Sequence, residues 1–345
     1  MTSLFGRRRS ASQTGTPPWE QLSELEEHRE LVRARLDHLV AVREPLVLIS
    51  QVQRSGGTLL SQLFDDHPEC HVHPEELKIG APKKWNWPRI DEAAPDEWFA
   101  LLYEDAAARH LHDGYHKSPR PDAEQDYFPF LFLPRLQRAI FDRVSEHATN
   151  ERAVLDAYFT SYFNAWLDNH NLYTGPKKAI VGFVPWLAVE PDELERFFAA
   201  YADGRLITIV RNPCSWYASA RVHGRSYEDL DAAIDRWRRS AEASLAAAER
   251  FAGRAVLLTY ESLVTDVAAT MSTLCVRLDL TMSDGLTTPT FNGRPIRANS
   301  SDPVERYGVL PERADAYRDS LGQDVVQRIE TLAGDLYERA AAVSG

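Results

Sequence analysis

The sequence predicts an α/β fold in which a parallel β-sheet lies between layers of helices. Four short apolar runs rich in Val and Ile occur at 46–50, 179–184, 206–210 and 255–260, and three of them follow or precede segments with helical periodicity. Strands that alternate with helices form parallel sheets, and strands buried on both faces are continuous apolar runs. With 345 residues, 44% of them hydrophobic, the chain can bury a sizeable core.

Three segments of the chain differ from this alternation. Residues 1–17 are polar and rich in Arg, Ser and Thr, which predicts a flexible N-terminal tail. Leucines recur among charged residues from 18 to 43, which predicts an amphipathic helix on the outside of the domain. Residues 80–175 are dense in aromatic residues and prolines and predict a helical insertion. We expect one domain over 18–345, in which these aromatic side chains fill a subsidiary core, form a cap above a ligand, or do both.

The charge of the chain restricts its partners. A formal net charge of −12 and an isoelectric point near 5.4 argue against binding to nucleic acid, which requires a basic surface. Any anion site must therefore depend on a few positive groups close to it and not on the charge of the whole chain.

Cysteine usage and hydropathy indicate a cytoplasmic protein. Cys70, Cys214 and Cys275 have neither the spacing of zinc ligands nor an even number for complete disulfide pairing, which indicates a reducing compartment. The basic residues near the N-terminus are not followed by an apolar stretch, and no run of eighteen apolar residues occurs. We therefore expect neither a signal peptide nor a membrane span.

A glycine-rich turn, "QRSGGT", follows the first predicted strand and precedes an amphipathic helix. Gly56 and Gly57 allow an anion to approach backbone N–H groups closely, and the helix that begins there presents its unpaired N–H groups to the same point. Arg54 adds positive charge, while Ser55 and Thr58 add hydroxyl donors. The same pattern suits an ordinary strand-to-helix turn, but the succession of strand, Arg-Ser-Gly-x-Thr and helix favours an anion site.

A nucleoside triphosphatase or kinase is the first alternative. Its phosphate loop needs G-x-x-x-x-G-K-[ST], with a lysine that reaches the terminal phosphates and a hydroxyl that holds Mg²⁺. That lysine is absent here, because the basic residue precedes the glycines instead. A P-loop kinase is therefore disfavoured.

A second motif begins where the third apolar run ends. Arg211 follows "LITIV", and "RNP" ends the strand so that Pro213 can open the next helix. Ser219 stands eight residues after Arg211, two turns into that helix, and we expect its hydroxyl to face back toward the arginine.

These two motifs, in this order, resemble those of the sulfotransferases that use 3′-phosphoadenosine 5′-phosphosulfate (PAPS). "QRSGGTLL" looks like the family's 5′-phosphosulfate loop, with Leu59 in the position of its final Leu or Trp. Gly57 departs from the usual Thr or Ser and loses one hydroxyl. The resemblance extends over roughly 44–340 and is greatest to the bacterial, tyrosylprotein-like and carbohydrate-like branches. It implies a P-loop-like sheet, PAPS as the donor and no metal.

The resemblance also assigns roles to single residues. It implies that Arg211 and Ser219 hold the 3′-phosphate of PAPS and that Tyr260, in "LLTYESL", lies near the adenine. The Asn-Ser-Ser segment that starts at Asn299 also fits the family, but Asp302 stands where an aromatic residue is usual, and we assign these residues no role.

The catalytic base that the resemblance implies is a glutamate at the end of the second strand, about twenty-one residues after the basic residue of the loop. That distance from Arg54 leads to Glu75, and strand alternation would point its neighbour Glu76 the other way. His71 and His73 are competitors, which we interpret instead as side chains of a short exposed strand.

One family feature is missing. Related enzymes often place a lysine at the end of a later strand, where this sequence has Phe183. If a second cation is needed, it must come from Lys78, Lys83, Lys84 or Lys117. The absent lysine is also the one feature that favours a catalytically silent binding protein.

The acceptor is not determined by the sequence. A phenol, an apolar natural product or another small molecule, a glycolipid and a carbohydrate all remain open, as does the oligomeric state. The few basic residues of the insertion argue against a highly sulfated polymer.

Overall fold

The computed structural model describes residues 23–79, 86–115, 128–297 and 306–344. It divides into two compact units, residues 1–39 and 40–345. In the second unit the described residues form one five-stranded parallel sheet with the order β2-β3-β1-β4-β5. The strands are β1 (Leu46–Ile49), β2 (Cys70–Glu76), β3 (Ala179–Phe183), β4 (Arg205–Val210) and β5 (Ala255–Thr259). The parallel α/β fold predicted from the four apolar runs is confirmed.

Residues of β1 are buried along its whole length because it lies in the middle of the sheet. Leu48 pairs with Gly182 of β3 and with Leu206 of β4. A central parallel strand is covered on both faces, which explains the unbroken apolar run. The carboxyl ends of β1, β3 and β4 consequently lie side by side at one edge of the sheet.

Helices connect and cover the strands. In chain order they are α1 (Glu24–Asp37), α2 (Gly57–Phe64), α3 (Trp98–Leu102), α4 (Asp105–Asp113), α5 (Pro134–Ser145), α6 (Glu151–Ala165), α7 (Pro191–Ala200), α8 (Pro213–Arg221), α9 (Leu230–Arg250), α10 (Tyr260–Thr265), α11 (Val267–Leu278) and α12 (Gln323–Val343). A two-stranded antiparallel ribbon, β6 (Thr290–Phe291) and β7 (Arg294–Pro295), follows α11.

The first unit contains α1. Ser23 caps this helix, and its side chain and that of Glu26 form a reciprocal capping box. The helix lies within the predicted range 18–43. The tail predicted for residues 1–17 lies outside the described residues.

Helices α3 to α6 lie between β2 and β3 in the chain, which confirms the predicted helical, aromatic insertion. Every residue of α6 from Ala157 to Ala165 is buried. The ring of Phe163 lies 5.0 Å from that of His71, and the ring of Tyr162 lies 4.8 Å from that of His73. The interpretation of these two histidines as side chains of an exposed strand is therefore wrong, because aromatic residues of the insertion cover them.

No helix of the described ranges is long and apolar enough to cross a membrane.

Candidate active site

A cavity of about 640 Å³ opens at the edge of the sheet where the carboxyl ends of the strands lie. The turn between β1 and α2 forms one wall, together with the ends of β2 and β3. The opposite wall comes from α8, the start of α10 and the segment 308–320. Open α/β sheets bind ligands in this position.

The turn before α2 has the backbone of an anion cradle. Arg54 and Gly56 both have left-handed backbones, with φ of 71° and 101°. A Cβ atom at Gly56 would lie only 2.7 Å from the ring of Tyr260, so glycine is required by conformation and by space. Among the described residues, no side chain caps the N-terminus of α2. The N–H groups of its first turn are thus available for an anion.

Arg211 ties the two predicted motifs together. Its side chain donates hydrogen bonds to Ser215 Oγ at 3.0 Å, to the carbonyl of Arg54 at 3.0 Å and to the carbonyl of Arg313 at 3.2 Å. The guanidinium group also lies over the ring of Tyr260, 4.1 Å from its centroid. Asn212 caps α8 and so fixes the turn that follows Arg211.

Ser219 has a different partner from the expected one. Its Oγ accepts a hydrogen bond from Nε of Arg54 at 3.2 Å. The hydroxyl that contacts Arg211 belongs to Ser215, one turn earlier on α8. Arg54, Arg211 and Ser219 nevertheless line the same cavity.

Arg54 and Arg211, which both line this cavity, have lowered pKa values. Burial and the nearby charge of Arg211 lower the pKa of Arg54. Burial also lowers the pKa of Arg211; Tyr260 and Glu261 oppose this effect, while the charge of Arg313 adds to it. Closely spaced, partly desolvated guanidinium groups gain stability when an anion binds between them.

Most of the predicted binding residues contribute to the cavity wall. They are Arg54, Gly56, Gly57, Thr58, Leu59, Arg211, Ser219 and Tyr260. Ser55 is not among the wall residues, and its side chain is fully buried. Three further residues, Arg313, Ser215 and Gln51, also line the cavity and were not predicted. Arg313 and Gln51 lie outside both motifs, and Ser215 lies within the second motif at a position to which the resemblance assigns no role.

The two adjacent glutamates at the end of β2 have different surroundings. Glu76 lines the cavity, whereas Glu75 does not, and Oε1 of Glu75 lies 3.0 Å from Nε2 of His110 on α4. Burial raises the pKa of Glu75. The contact with His110 and the charges of Lys78 and His73 have the larger, opposite effect, so the pKa of Glu75 lies below its ordinary value. The register of β2 against β3 shifts between Val72 and Glu76, which disturbs the strand alternation.

Phe183 occupies the position of the missing lysine. Its ring lies beside the first residue of α2, 2.6 Å from where a Cβ of Gly57 would be. Of the four lysines considered as a replacement, Lys78 is described and acts electrostatically on Glu75. Lys83, Lys84 and Lys117 lie outside the described residues, as does the segment that begins at Asn299.

The sequence pattern of the Sulfotransferase family matches residues 45–284, which is more than half of the chain. The chain belongs to the sulfotransferase family. This sulfotransferase is similar to several solved bacterial structures. The resemblance to one branch of the family stays a prediction.

Three solved structures illustrate the similarity. The sulfotransferase domain of the curacin biosynthetic pathway is 18% identical, with a TM-score of 0.47, over 84% of this chain and 98% of that domain. The sulfotransferase domain of the Synechococcus PCC 7002 olefin synthase is 21% identical, with a TM-score of 0.44, over 86% and 96%. A sulfotransferase from Alicyclobacillus acidocaldarius is 13% identical, with a TM-score of 0.42, over 87% and 95%. None of the curated proteins matches the chain.

Proposed function

We propose that this sulfotransferase moves a sulfuryl group from PAPS to a hydroxyl or amine of a small-molecule, glycolipid or carbohydrate acceptor. The observation that carries the proposal is the convergence of Arg54, Arg211 and the uncapped N-terminus of α2 on one cavity. PAPS carries a phosphosulfate at the 5′ position of its ribose and a phosphate at the 3′ position, so it needs two anion sites a short distance apart. The two arginines and the helix N-terminus supply them.

The side chains of the cavity fit the parts of PAPS. The first turn of α2, Arg54 and Thr58 suit the 5′-phosphosulfate, since they offer N–H, guanidinium and hydroxyl donors. Arg211 and Ser219 suit the 3′-phosphate. Tyr260, whose ring lies against Gly56 and Arg211, offers an aromatic surface near the adenine.

When bound, PAPS supplies the sulfuryl group, and 3′,5′-adenosine bisphosphate leaves as the S–O bond to its phosphate breaks. The donors at the start of α2 and on Arg54 offset the negative charge that develops on the departing phosphate. A carboxylate at the end of β2 accepts the proton of the acceptor as the new bond to sulfur forms.

The identity of that carboxylate is a choice between neighbours. The distance from Arg54 predicts Glu75, whereas the position of Glu76 on the cavity wall supports Glu76. The contact of Glu75 with His110 also supports Glu76, because a carboxylate with a lowered pKa is a weaker base. We therefore propose Glu76 as the stronger candidate and keep Glu75 as the prediction from sequence.

The proposed reaction is tested by the release of 3′,5′-adenosine bisphosphate from PAPS with a panel of sugar, lipid and phenol acceptors. Acceptor-dependent release supports sulfuryl transfer. Binding of PAPS without release for any acceptor would favour the catalytically silent alternative, and failure to bind PAPS would overturn the proposal.

The base is tested by Glu75→Gln and Glu76→Gln. The amide preserves shape but cannot take the proton, so turnover should fall by about 10²–10⁴-fold in the variant of the true base. Affinity for the bisphosphate, which is measured separately, should change little. A loss of turnover in Glu75→Gln but not in Glu76→Gln would identify Glu75 as the catalytic base.

The acceptor is expected to approach from the side of the insertion. Its described aromatic residues are mostly buried and contact one another, as do the rings of Phe130 and Trp166, whose centroids lie 4.8 Å apart. This packing supports the prediction that they fill a subsidiary core. We propose that residues 80–175 also cap the acceptor within the domain 18–345.

A further inference from the structure

Gln51 has a buried side-chain amide without a hydrogen-bond partner in the part of the chain that the structure describes. It follows β1 by two residues, its side chain is 1% exposed, and its backbone carbonyl accepts a hydrogen bond from Trp186 N at 3.2 Å. Neither Nε2 nor Oε1 of the side chain has a hydrogen-bond partner among the described residues. Buried polar groups in folded proteins are nearly always hydrogen-bonded, because an unpaired one has lost its water without compensation, so this amide calls for an explanation.

The amide of Gln51 lies at the first turn of α2. Its Nε2 occupies the space that a Cβ at Gly57 would need, and the ring of Phe183 closes the same space from the other side. Gln51, Gly57 and Phe183 all line the cavity. The N–H groups of a helix N-terminus and an unpaired amide therefore point to a single ligand position.

This arrangement explains the departure of residue 57 from the family pattern. A Cβ there would lie 2.1 Å from Nε2 of Gln51, so a serine or threonine would require this amide to leave its position. A primary amide has two N–H donors and can replace the hydroxyl donor that Gly57 lacks.

We propose that the side-chain amide of Gln51 donates hydrogen bonds to the sulfuryl oxygens of the donor, in place of the hydroxyl missing at Gly57. This inference rests on the proposed function. Gln51 would be a specificity-determining residue, since it distinguishes the sulfuryl-bearing donor from the bisphosphate product. The ligand class is thus a sulfated 5′-phosphate rather than a phosphate alone.

The test compares the affinities of Gln51→Leu and the parent protein for PAPS and for 3′,5′-adenosine bisphosphate, measured by calorimetry. The two ligands share the adenosine and both phosphates and differ in the sulfuryl group. Loss of a hydrogen bond to a charged group should weaken PAPS binding roughly tenfold or more. The affinity for the bisphosphate should stay within about twofold.

A matched control is Gln137→Leu. Gln137, on α5, is equally buried, with 1% exposure, and its Nε2 also lacks a partner among the described residues. Both leucine variants should unfold at a similar urea concentration to the parent, because an apolar side chain of similar size replaces an amide whose Nε2 has no partner among the described residues. Only Gln51→Leu should change the ratio of the two affinities.

The outcomes separate the two proposals. Unchanged affinities in Gln51→Leu, or an equal loss for both ligands, would overturn the role of Gln51 and leave the proposed function standing. A parent protein that binds neither ligand would overturn the proposed function, and this inference with it.

Discussion

Two buried histidines of β2 have opposite electrostatic environments. His73 Nε2 lies 3.1 Å from Glu104, and although burial lowers its pKa, Glu104 raises it more, so that the result is above the ordinary value. His71 has no hydrogen-bond partner among the described residues, and burial together with Lys177 lowers its pKa to about 3. The free energy of unfolding should respond to these two groups in different pH ranges.

His71 determines the acid side of this response. Between pH 6.5 and about 3 the unfolded chain binds a proton at His71 and the folded chain does not, so stability falls as the pH falls. The slope is about 1.4 kcal/mol per pH unit. The raised pKa of His73 acts instead above pH 6.5, where its contribution is lost as the pH rises.

We predict that His71→Leu removes about 2 kcal/mol of the difference in unfolding free energy between pH 6.5 and pH 5. Urea unfolding at the two pH values measures it. His147→Gln, which changes an exposed histidine, is the control variant. An unaltered difference in His71→Leu would show that His71 is protonated in the fold.

Arg211 gives a second residue-scale prediction. Arg211→Ala should weaken binding of the bisphosphate by about 1.5–3 kcal/mol, the range for hydrogen bonds to charged groups. It should also lower stability, because Arg211 donates to the carbonyls of two separate loops. Calorimetry and urea unfolding measure the two effects. Arg328→Ala, which removes an exposed arginine of α12, is the control, and equal affinity in both variants would refute the 3′-phosphate assignment.

Residue counting predicted the motif positions but not every side-chain direction. The wall residues from Arg54 to Leu59 follow from the strand, turn and helix alone, apart from Ser55. The shift of register between Val72 and Glu76 depends on how β2 meets β3, so no local pattern could show which glutamate lines the cavity. Ser219 likewise contacts Arg54 because of how α8 packs, which spacing along one helix does not reveal.

At the scale of elements, the start of α2 depends on two properties of Gly56. Its left-handed backbone costs another residue about 1–2 kcal/mol, and a Cβ would also displace the ring of Tyr260. Gly253 shares only the first property, since its φ is 82° and nothing lies within 4 Å of where its Cβ would be.

We predict that Gly56→Ala and Gly253→Ala both lower the unfolding free energy by at least about 1 kcal/mol, but that only Gly56→Ala weakens binding of the bisphosphate. Displacement of Tyr260 is the reason for the second effect. Urea unfolding of the two variants measures the effect of backbone strain on stability. Calorimetry measures whether displacement of the Tyr260 ring weakens binding of the bisphosphate. Full affinity in Gly56→Ala would mean that the ring of Tyr260 does not shape the nucleotide site.

The strands were more predictable than the insertion. Buried parallel strands are short apolar runs, so four of the five could be located from composition within one or two residues. The fifth, β2, contains histidines and glutamates and could be placed only by its distance from the first motif. Which aromatic residues of the insertion cover β2 depends on contacts between distant segments, such as His71 with Phe163.

The whole molecule carries a formal net charge of −12, yet its cavity contains Arg54, Arg211 and Arg313. Repulsion from the rest of the chain acts over long distances and is screened by salt, whereas partly buried arginines act at contact. The proposed binding of an anionic nucleotide is therefore compatible with an acidic chain, because it depends on local donors.

This distribution of charge leads to a prediction for the folded state as a whole. A kinase loop uses Mg²⁺ to neutralise a triphosphate, whereas here Arg54 and the N–H groups of α2 can offset the smaller charge of the donor. We predict that the bisphosphate raises the melting temperature in excess EDTA, since a ligand at 100 times its Kd adds about 2.7 kcal/mol to stability. Mg-ATP should raise it weakly or not at all. Thermal-shift titrations with both ligands measure these two effects. Strong stabilisation by Mg-ATP that EDTA abolishes would contradict the prediction of a metal-free site and favour a kinase.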